Sequence, residues 1–293
     1  MGKNKRKAGL TGLARFVLES FQPDTSQPSA LEQQPSKDIK VAEKAVKKVY
    51  DATTLVSHVE DQYELPEKLQ KYFSQRYRLF SLYSEPPGCL LDEEGWFSVT
   101  PERIATQIAE RCRCDTILDA FCGVGGNAIA FAQTCNRVIA VDTSPTRLAL
   151  ARHNAQIYGV ADRIEFILAD YVSFASSIAS RTQSRPIDVV FLSPPWGGVD
   201  YLSGSSNDKS DSQQHPSYSL DAILPIPGAE LFDLSRKITP NIAFYLPRNT
   251  NLNEISKLVP NESVEVEEEW MGSKLKALTC YFGGLTVGQE ELF

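Results

Sequence analysis

The chain has 293 residues, of which 42% are hydrophobic and 23% charged, as in a globular protein with one large domain and a tail. It contains no apolar run of the roughly 18 residues that a membrane span requires, and no apolar segment of a secretory signal. The net charge of −7 argues against a protein that holds a long duplex, and favours a small ligand or a nucleic-acid end.

Cysteine and histidine spacing predicts no metal site. Cys112 and Cys114 form a C-x-C pair, but the paired C-x-x-C pattern of zinc sites is missing, and the three histidines are far apart. Since nothing indicates secretion, we expect a cytosolic or nuclear protein whose six cysteines are free, mostly buried thiols.

The first hundred residues differ in composition from the rest. Residues 1–36 combine a basic cluster with many Pro, Ser and Gln residues, which predicts a disordered tail: a solvated arm, a nuclear address or an RNA contact. An amphipathic helix is predicted over 39–50, and a second helix over 66–80 in which basic and aromatic residues are interleaved. We divide the chain into this tail, a helical extension (37–99) and a core domain (100–293).

Strands and helices alternate regularly in the predicted core domain. Thr100 and Pro101 have the residue types of a helix N-cap and first helical position. Strands are predicted at 116–119, 137–142, 164–169, 187–192, 241–246, 264–270 and 277–282. Helices are predicted near 124–134, 145–157, 171–180, 228–237 and 251–258. This order predicts an α/β fold with a doubly wound, mostly parallel seven-stranded sheet that ends in an antiparallel pair.

The sequence SPPWGG follows the fourth predicted strand directly. Ligands bind at the carboxyl edge of open α/β sheets, and the two prolines remove N–H donors there. Ser193 and the Pro194 carbonyl can therefore hold the exocyclic amine of a nucleobase while Trp196 covers its face. The alternative is that Trp196 is only a core or rim residue. The polar stretch 202–219 that follows is predicted to be a loop or flap.

Acidic residues end three successive strands. Asp119 precedes a turn that contains Gly123 and Gly125, Asp142 ends the second strand, and Asp170 follows the third. The glycine spacing is not G-x-G-x-x-G, and an acid beside the turn would repel a pyrophosphate, which disfavours a nicotinamide dinucleotide. S-adenosylmethionine fits better, with its amino group near Asp119, its ribose at Asp142 and its adenine amine at Asp170. Each acid alone could instead cap a helix or turn.

The chain resembles the trimethylguanosine synthase family in six ordered segments: VTPERIA, LDAFCGVGGN, RVIAVD, ALARHNAQIYGVADRIEFILAD, DVVFLSPPWGG and FYLPRN. The resemblance extends from about Glu64 to Gly284. It implies a class I methyltransferase that uses S-adenosylmethionine, without a metal, to methylate N2 of a 7-methylguanosine RNA cap twice, giving 2,2,7-trimethylguanosine. It also implies small nuclear and nucleolar RNA substrates, RNP proteins that deliver them, and a nuclear or nucleolar location, with the cytoplasm as the alternative.

The resemblance further implies roles for single residues. Trp196 would stack on the cationic 7-methylguanine, Ser193 and Pro194 would hold N2, and Asn154 would line the other side of the base. The cap phosphates would meet Lys71, Tyr201 and Arg248. The cofactor site would be lined by Phe80, Thr100, Asp119, Asp142, Asp170 and Tyr171. No general base is evident, and positioning of the amine can supply much of the rate.

Two features of the sequence differ from the family pattern, and two alternative functions must be compared with this interpretation. Val199 stands where the family usually has proline, and the 202–219 insertion is longer than expected. The first rival, an adenine-N6 or internal guanine-N2 methyltransferase, usually has Asn or Asp before Pro-Pro and Tyr or Phe after it, unlike Ser193 and Trp196. The second rival, a catalytically silent cap-binding protein, has no need of the intact acids and glycine turn.

Overall fold

A computed structural model describes residues 50–180, 186–197 and 217–287, which all belong to one compact unit. The predicted tail, all but the last residue of the predicted helix 39–50, Tyr201 and most of the polar insertion lie outside the described residues. The division into tail, extension and core therefore stays a prediction. None of the helices within the described ranges is long and apolar enough to cross a membrane.

The apolar runs of the core domain form one sheet of seven strands. They are β1 (Thr116–Asp119), β2 (Arg137–Asp142), β3 (Ile164–Leu168), β4 (Val189–Leu192), β5 (Ile242–Pro247), β6 (Val264–Met271) and β7 (Lys274–Phe282). Their order is β3-β2-β1-β4-β5-β7-β6, with the first five parallel and β7 antiparallel to both neighbours. The predicted fold class is confirmed, with strand bounds within three residues of those predicted. The hairpin β6–β7 places β7 inside the sheet and β6 at its edge.

Nine α-helices lie within the described residues. They are α1 (Glu67–Phe73), α2 (Arg76–Leu79), α3 (Glu93–Ser98), α4 (Glu102–Arg111), α5 (Gly126–Thr134), α6 (Pro145–Ile157), α7 (Tyr171–Ala179), α8 (Gly228–Arg236) and α9 (Leu252–Leu258). One buried cluster contains residues of α4, α5, α6 and the extension, and a second contains residues of α7, α8 and α9. The two clusters cover opposite faces of the sheet, as a doubly wound fold requires. All six cysteines are free thiols, and five of them are buried.

The extension differs from its prediction in two places. The single helix predicted over 66–80 is broken into α1 and α2, because Ser74 Oγ and Gln75 Nε2 both donate to the Lys71 carbonyl that would continue the helix. Helix α3 has no counterpart among the predicted helices. It begins after Asp92, whose side chain accepts from the Gly95 N–H at 2.8 Å.

The helix start predicted at Thr100 is shifted. Helix α4 begins at Glu102 with Pro101 as its N-cap. The Thr100 hydroxyl instead accepts a hydrogen bond from Asn127 Nδ2 at 2.9 Å, and Asn127 belongs to the first turn of α5. Thr100 therefore does not cap α4, but connects the segment before α4 with α5, the helix that follows the glycine turn.

Candidate active site

The carboxyl edge of the sheet brings the predicted residues to one side of the molecule. Asp119 is level with Phe191 of β4, two residues before Ser193, and with Ala140 of β2, two residues before Asp142. Because β5 is parallel to β4, Arg248 follows Pro247 at the same edge. This is the edge at which open α/β sheets bind ligands.

Asp119 is the most perturbed group at this edge. Its side chain is completely buried, and within the described structure neither carboxylate oxygen has a hydrogen-bond partner of standard geometry. Burial raises the pKa of Asp119 to about 7, assisted by the nearby Asp142 charge, although the backbone N–H groups of Phe121 and Ala128 lower it in part. An unpartnered buried carboxylate of this kind is suited to a cationic ligand group.

The glycine turn lies beside this acid. Gly123 and Gly125 have φ values of +51° and +93°, a region that L side chains rarely adopt. A Cβ on Gly125 would meet Ala151 of α6 at 3.0 Å, whereas a Cβ on Gly123 would meet nothing within 4 Å. The turn is therefore closely packed against α6 at Gly125 and open at Gly123.

Asp142 holds this turn in place. Its Oδ2 accepts from the Gly123 N–H at 2.9 Å and its Oδ1 from the Ser144 N–H at 2.8 Å. Asp119 and Asp142 thus end neighbouring strands, but only Asp142 forms hydrogen bonds of standard geometry, to the backbone of the turn. Its predicted contact with the cofactor ribose stays a prediction.

These features fit S-adenosylmethionine. The cofactor carries positive charge and no phosphate, so an unpartnered buried carboxylate matches its amino group, and the open space at Gly123 allows close approach to the backbone. Among the described residues, no group of three or more His, Cys, Asp and Glu residues could hold a metal ion.

The other predicted cofactor residues have structural partners of their own. Asp170 caps α7 by accepting from the Ser173 N–H at 2.9 Å. The Tyr171 hydroxyl is buried and bonds Ser235 Oγ at 2.7 Å. Phe80 is buried, with its ring 6.0 Å from that of Tyr158. Cofactor contacts of these residues and of Thr100 therefore stay predictions.

The segment after β4 has well-defined surroundings. The half-buried Trp196 ring lies 5.3 Å from the Tyr245 ring at an interplanar angle of 36°. Ser193 Oγ donates to the Phe121 carbonyl at 3.4 Å. Pro194 is buried, and no N–H or O–H group of the described residues donates to its carbonyl oxygen. An acceptor and an aromatic ring thus lie within three residues of each other at the ligand-binding edge.

Asn154 has structural hydrogen bonds of its own, and its predicted place beside the base stays a prediction. Its side chain is completely buried, and its Oδ1 accepts from the Leu90 N–H at 2.8 Å. Its Nδ2 donates to the carbonyls of Leu90 and Val124, both at 3.0 Å. Asn154 thus connects the extension, α6 and the glycine turn through its side chain.

Basic residues gather beyond β5. Arg248 Nη1 donates to the Leu275 carbonyl at 3.4 Å, and burial together with Lys274, Arg78 and Arg248 lowers the pKa of Lys276. Arg78 is one of the basic residues interleaved with aromatics in the helix predicted over 66–80, whereas Lys276 was not predicted as a site residue, although the alternating lysines of KLK are visible in the sequence. Lys71 is exposed on α1, with its ammonium 5.0 Å from the Tyr72 ring centre.

Comparison with known proteins agrees with this site. The profile of the family described as RNA cap guanine-N2 methyltransferase matches residues 114–285. The trimethylguanosine synthase of Schizosaccharomyces pombe is 37% identical over 225 residues, which cover 74% of this chain and 87% of that protein. The Saccharomyces cerevisiae trimethylguanosine synthase is 38% identical over 226 residues, which cover 74% of this chain and 68% of that protein.

Solved structures support the fold. A Porphyromonas gingivalis W83 protein assigned as a methyltransferase matches 81% of this chain and 58% of its own, with a TM-score of 0.54 at 12% identity. The family match includes both the Asp119 turn and the segment from Ser193 to Trp196. The chain therefore belongs to the RNA cap guanine-N2 methyltransferase family, and S-adenosylmethionine is its cofactor.

Proposed function

We propose that this protein methylates N2 of the 7-methylguanosine cap of RNA in two successive transfers, giving 2,2,7-trimethylguanosine. The observation that supports this most is the arrangement of the Pro194 carbonyl, Ser193 and Trp196 at the strand edge that also holds Asp119. An amine acceptor and an aromatic face thus lie next to a site suited to a cationic cofactor, in a chain of this family.

The cofactor end of the site binds and orients S-adenosylmethionine. Asp119 takes the amino group of S-adenosylmethionine, and the turn at Gly123, fixed by Asp142, lets the ligand approach the backbone. When bound, the cofactor supplies an electrophilic methyl group on a sulfonium. Ionisation of Asp119 becomes favourable when the cationic amino group replaces its missing partners.

The base end positions the nucleophile. The Pro194 carbonyl and Ser193 Oγ accept from N2, so that the amine is held in the plane of the base while its lone pair points at the methyl group. Positioning of this kind can supply much of the rate of a transfer reaction. The proton of the methylated amine leaves to water, and no side chain is assigned as a general base.

Trp196 selects the N7-methylated base. Methylation of N7 makes guanine cationic, and a cation over a tryptophan face gains roughly 0.5–2 kcal/mol. The Tyr245 ring, with its centre 5.3 Å from that of Trp196, packs against the indole and supports its orientation. Unmethylated guanine lacks this charge and is the weaker substrate.

The basic residues beyond β5 bind the cap phosphates. Arg248 and Lys276 lie at the edge that holds the base, and Arg78 adds a third positive charge. Lys71 and Tyr201 complete this set in our proposal. The repulsion among these cations is relieved when a phosphate chain binds between them.

The substrates are small nuclear and nucleolar RNAs in this proposal, delivered by RNP proteins, and the protein acts in the nucleus or nucleolus. The basic cluster Lys3–Lys7 supports such a location, because short Lys/Arg-rich segments serve as nuclear localisation signals.

One assay tests the reaction. The purified chain is incubated with labelled S-adenosylmethionine and either 7-methylguanosine diphosphate or GDP, and the products are identified by mass. Two added methyl groups on the first compound and none on GDP are expected. Cofactor binding without any transfer to 7-methylguanosine diphosphate would overturn the proposal, as would equal transfer to GDP.

A further inference from the structure

The β6–β7 hairpin extends beyond the cap site at the same edge of the sheet. Ala277 of β7 pairs with Pro247, the last residue of β5, and the hairpin continues past this pair to Gly272. The hairpin turn therefore lies on the side of the sheet where Arg248 and Trp196 are found. A ligand that passes the phosphate-binding cations in this direction reaches the hairpin next.

Trp270 is the prominent feature of this hairpin. Its side chain is 52% exposed, unusual for the largest apolar side chain, and its Nε1 donates to Glu268 Oε2 at 3.0 Å. It pairs across the hairpin with Leu275, whose carbonyl accepts the hydrogen bond from Arg248. Trp270 is thus one cross-strand step from a cation assigned above to the cap phosphates.

A groove of about 370 Å³ adjoins the ring, which is enough for one nucleotide. It is lined by Trp270, Met271, Gly272, Arg103, Ile104 and Gln107. Arg103 is exposed, and Lys274 is exposed on the opposite strand of the hairpin. An exposed aromatic ring with neighbouring cations is the combination that single-stranded nucleic acid binds.

Several acidic residues of β6, which would repel an RNA phosphate, have partners within the fold. Arg111 forms ion pairs with Glu265 and Glu267, and Tyr281 donates to Glu267. Glu268 is occupied by the Trp270 indole N–H. Arg111 therefore offsets part of the negative charge of β6, and the exposed Arg103 and Lys274 add positive charge beside the groove.

We propose that Trp270 and the groove beside it bind a nucleotide of the RNA chain downstream of the cap, with the base stacked on the indole. This inference rests on the proposed function, because the cap phosphates must lie at Arg248 for the chain to continue toward Trp270. It extends the site from the cap to the body of a capped RNA. Unlike the cap site, the groove reads no particular base, since every base has a face that can stack.

The experiment compares two substrates that differ only in the RNA chain. Methylation of 7-methylguanosine diphosphate and of a short capped oligoribonucleotide is measured for the wild type, Trp270→Ala and Trp270→Phe. The alanine variant is expected to lose about tenfold in kcat/KM with the oligonucleotide, mainly through KM, and to keep wild-type kinetics with the diphosphate. The phenylalanine variant should recover most of the loss.

Tyr63→Ala is the matched control, because this aromatic side chain is 77% exposed and lies in the extension. It should leave both substrates unchanged. An equal loss of both substrates with Trp270→Ala would overturn the inference in favour of a structural role. If Trp270→Ala lost activity with neither substrate, the inference would also be overturned, and a protein partner would become the better explanation of the exposed surface.

These measurements distinguish a failure of the proposed cap reaction from a failure of the RNA-binding groove. If the wild type does not methylate the diphosphate, the cap reaction itself is wrong. Fluorescence anisotropy with the labelled capped oligonucleotide then still compares Trp270→Ala with the wild type, and equal affinities would overturn the RNA-binding groove as well.

Discussion

The cofactor end and the base end of the site are constructed differently. The cofactor end comes from one continuous segment, 116–144, whose backbone N–H groups are held by Asp142. The base end joins a strand end, the β5 strand and the β6–β7 hairpin, which are far apart in sequence. The cofactor end is therefore held together by hydrogen bonds within its own segment, whereas the base end depends on the packing of elements that are distant in sequence. Substitutions should therefore separate cofactor binding from cap turnover.

Trp196→Ala should have the largest effect, because it removes the base end alone. We expect a loss of at least about 100-fold in kcat/KM with 7-methylguanosine diphosphate, since both the cation–π contact and the positioning of N2 are lost. Calorimetry should show S-adenosylmethionine binding close to the wild type. Unchanged turnover would contradict the assignment of Trp196 to the base.

Asp119→Asn breaks the cofactor end without changing its shape. We expect S-adenosylmethionine affinity to fall by about 10- to 150-fold, the range for a lost hydrogen bond to a charged group. The cofactor-free variant should be at least as stable as the wild type at pH 8, because the amide avoids the cost of a buried charge. Thermal unfolding and calorimetry measure the two effects, and a variant that binds normally would refute the role of Asp119.

Asn154→Ala tests the connection between the two ends. It leaves the Leu90 N–H and the carbonyls of Leu90 and Val124 without their buried partner, so the free energy of unfolding should fall by about 3 kcal/mol. Denaturant unfolding measures this loss. A variant of wild-type stability that fails only in cap binding would contradict the structural role and support the predicted contact of Asn154 with the base.

Cofactor binding should depend on pH through Asp119. Its pKa is raised from 3.8 to about 7 in the cofactor-free protein, so below pH 7 the acid must lose a proton before it can pair with the amino group. Affinity should therefore fall up to tenfold per pH unit below 7 and level off above it. Without cofactor, the stability contributed by this carboxyl is present at low pH and declines as the pH rises from about 4 to 7.

Asp119→Asn is the control for this pH dependence, because Glu269 also has a pKa raised to about 7 by burial. The variant should bind weakly at every pH, with no rise through pH 7. A binding curve that keeps its pH slope in the variant would assign the titration to another group.

Deletion of residues 1–36 should have the smallest effect. None of the residues that we assign to either end of the site belongs to the tail, so turnover of 7-methylguanosine diphosphate should stay within about twofold of that of the full chain. Steady-state kinetics on the two proteins decide this. A large loss would show that the tail is part of the active domain.

Strand positions and the alternation of strands with helices were predictable because each apolar run is short, continuous and bounded by turn residues. The break between α1 and α2 was not, since it depends on side chains that compete for a single backbone carbonyl. The role of Asn154 was also hidden, because the N–H and carbonyls it bonds come from Leu90 and Val124, well before it in the chain. Lys276 was missed because its relation to Arg248 exists only through the pairing of β5 with β7.

The sequence by itself determined the fold class, the glycine turn with its acids, and the Ser-Pro-Pro-Trp segment at a strand end. These depend on local periodicity and on residue types at fixed spacing, which are read along the chain. Only the tertiary structure decided that Asp119 is left without a partner while Asp142 is satisfied, and that Trp270 lies one strand from Arg248. Burial and cross-strand pairing are properties of the packed molecule, because they arise where segments distant in sequence meet.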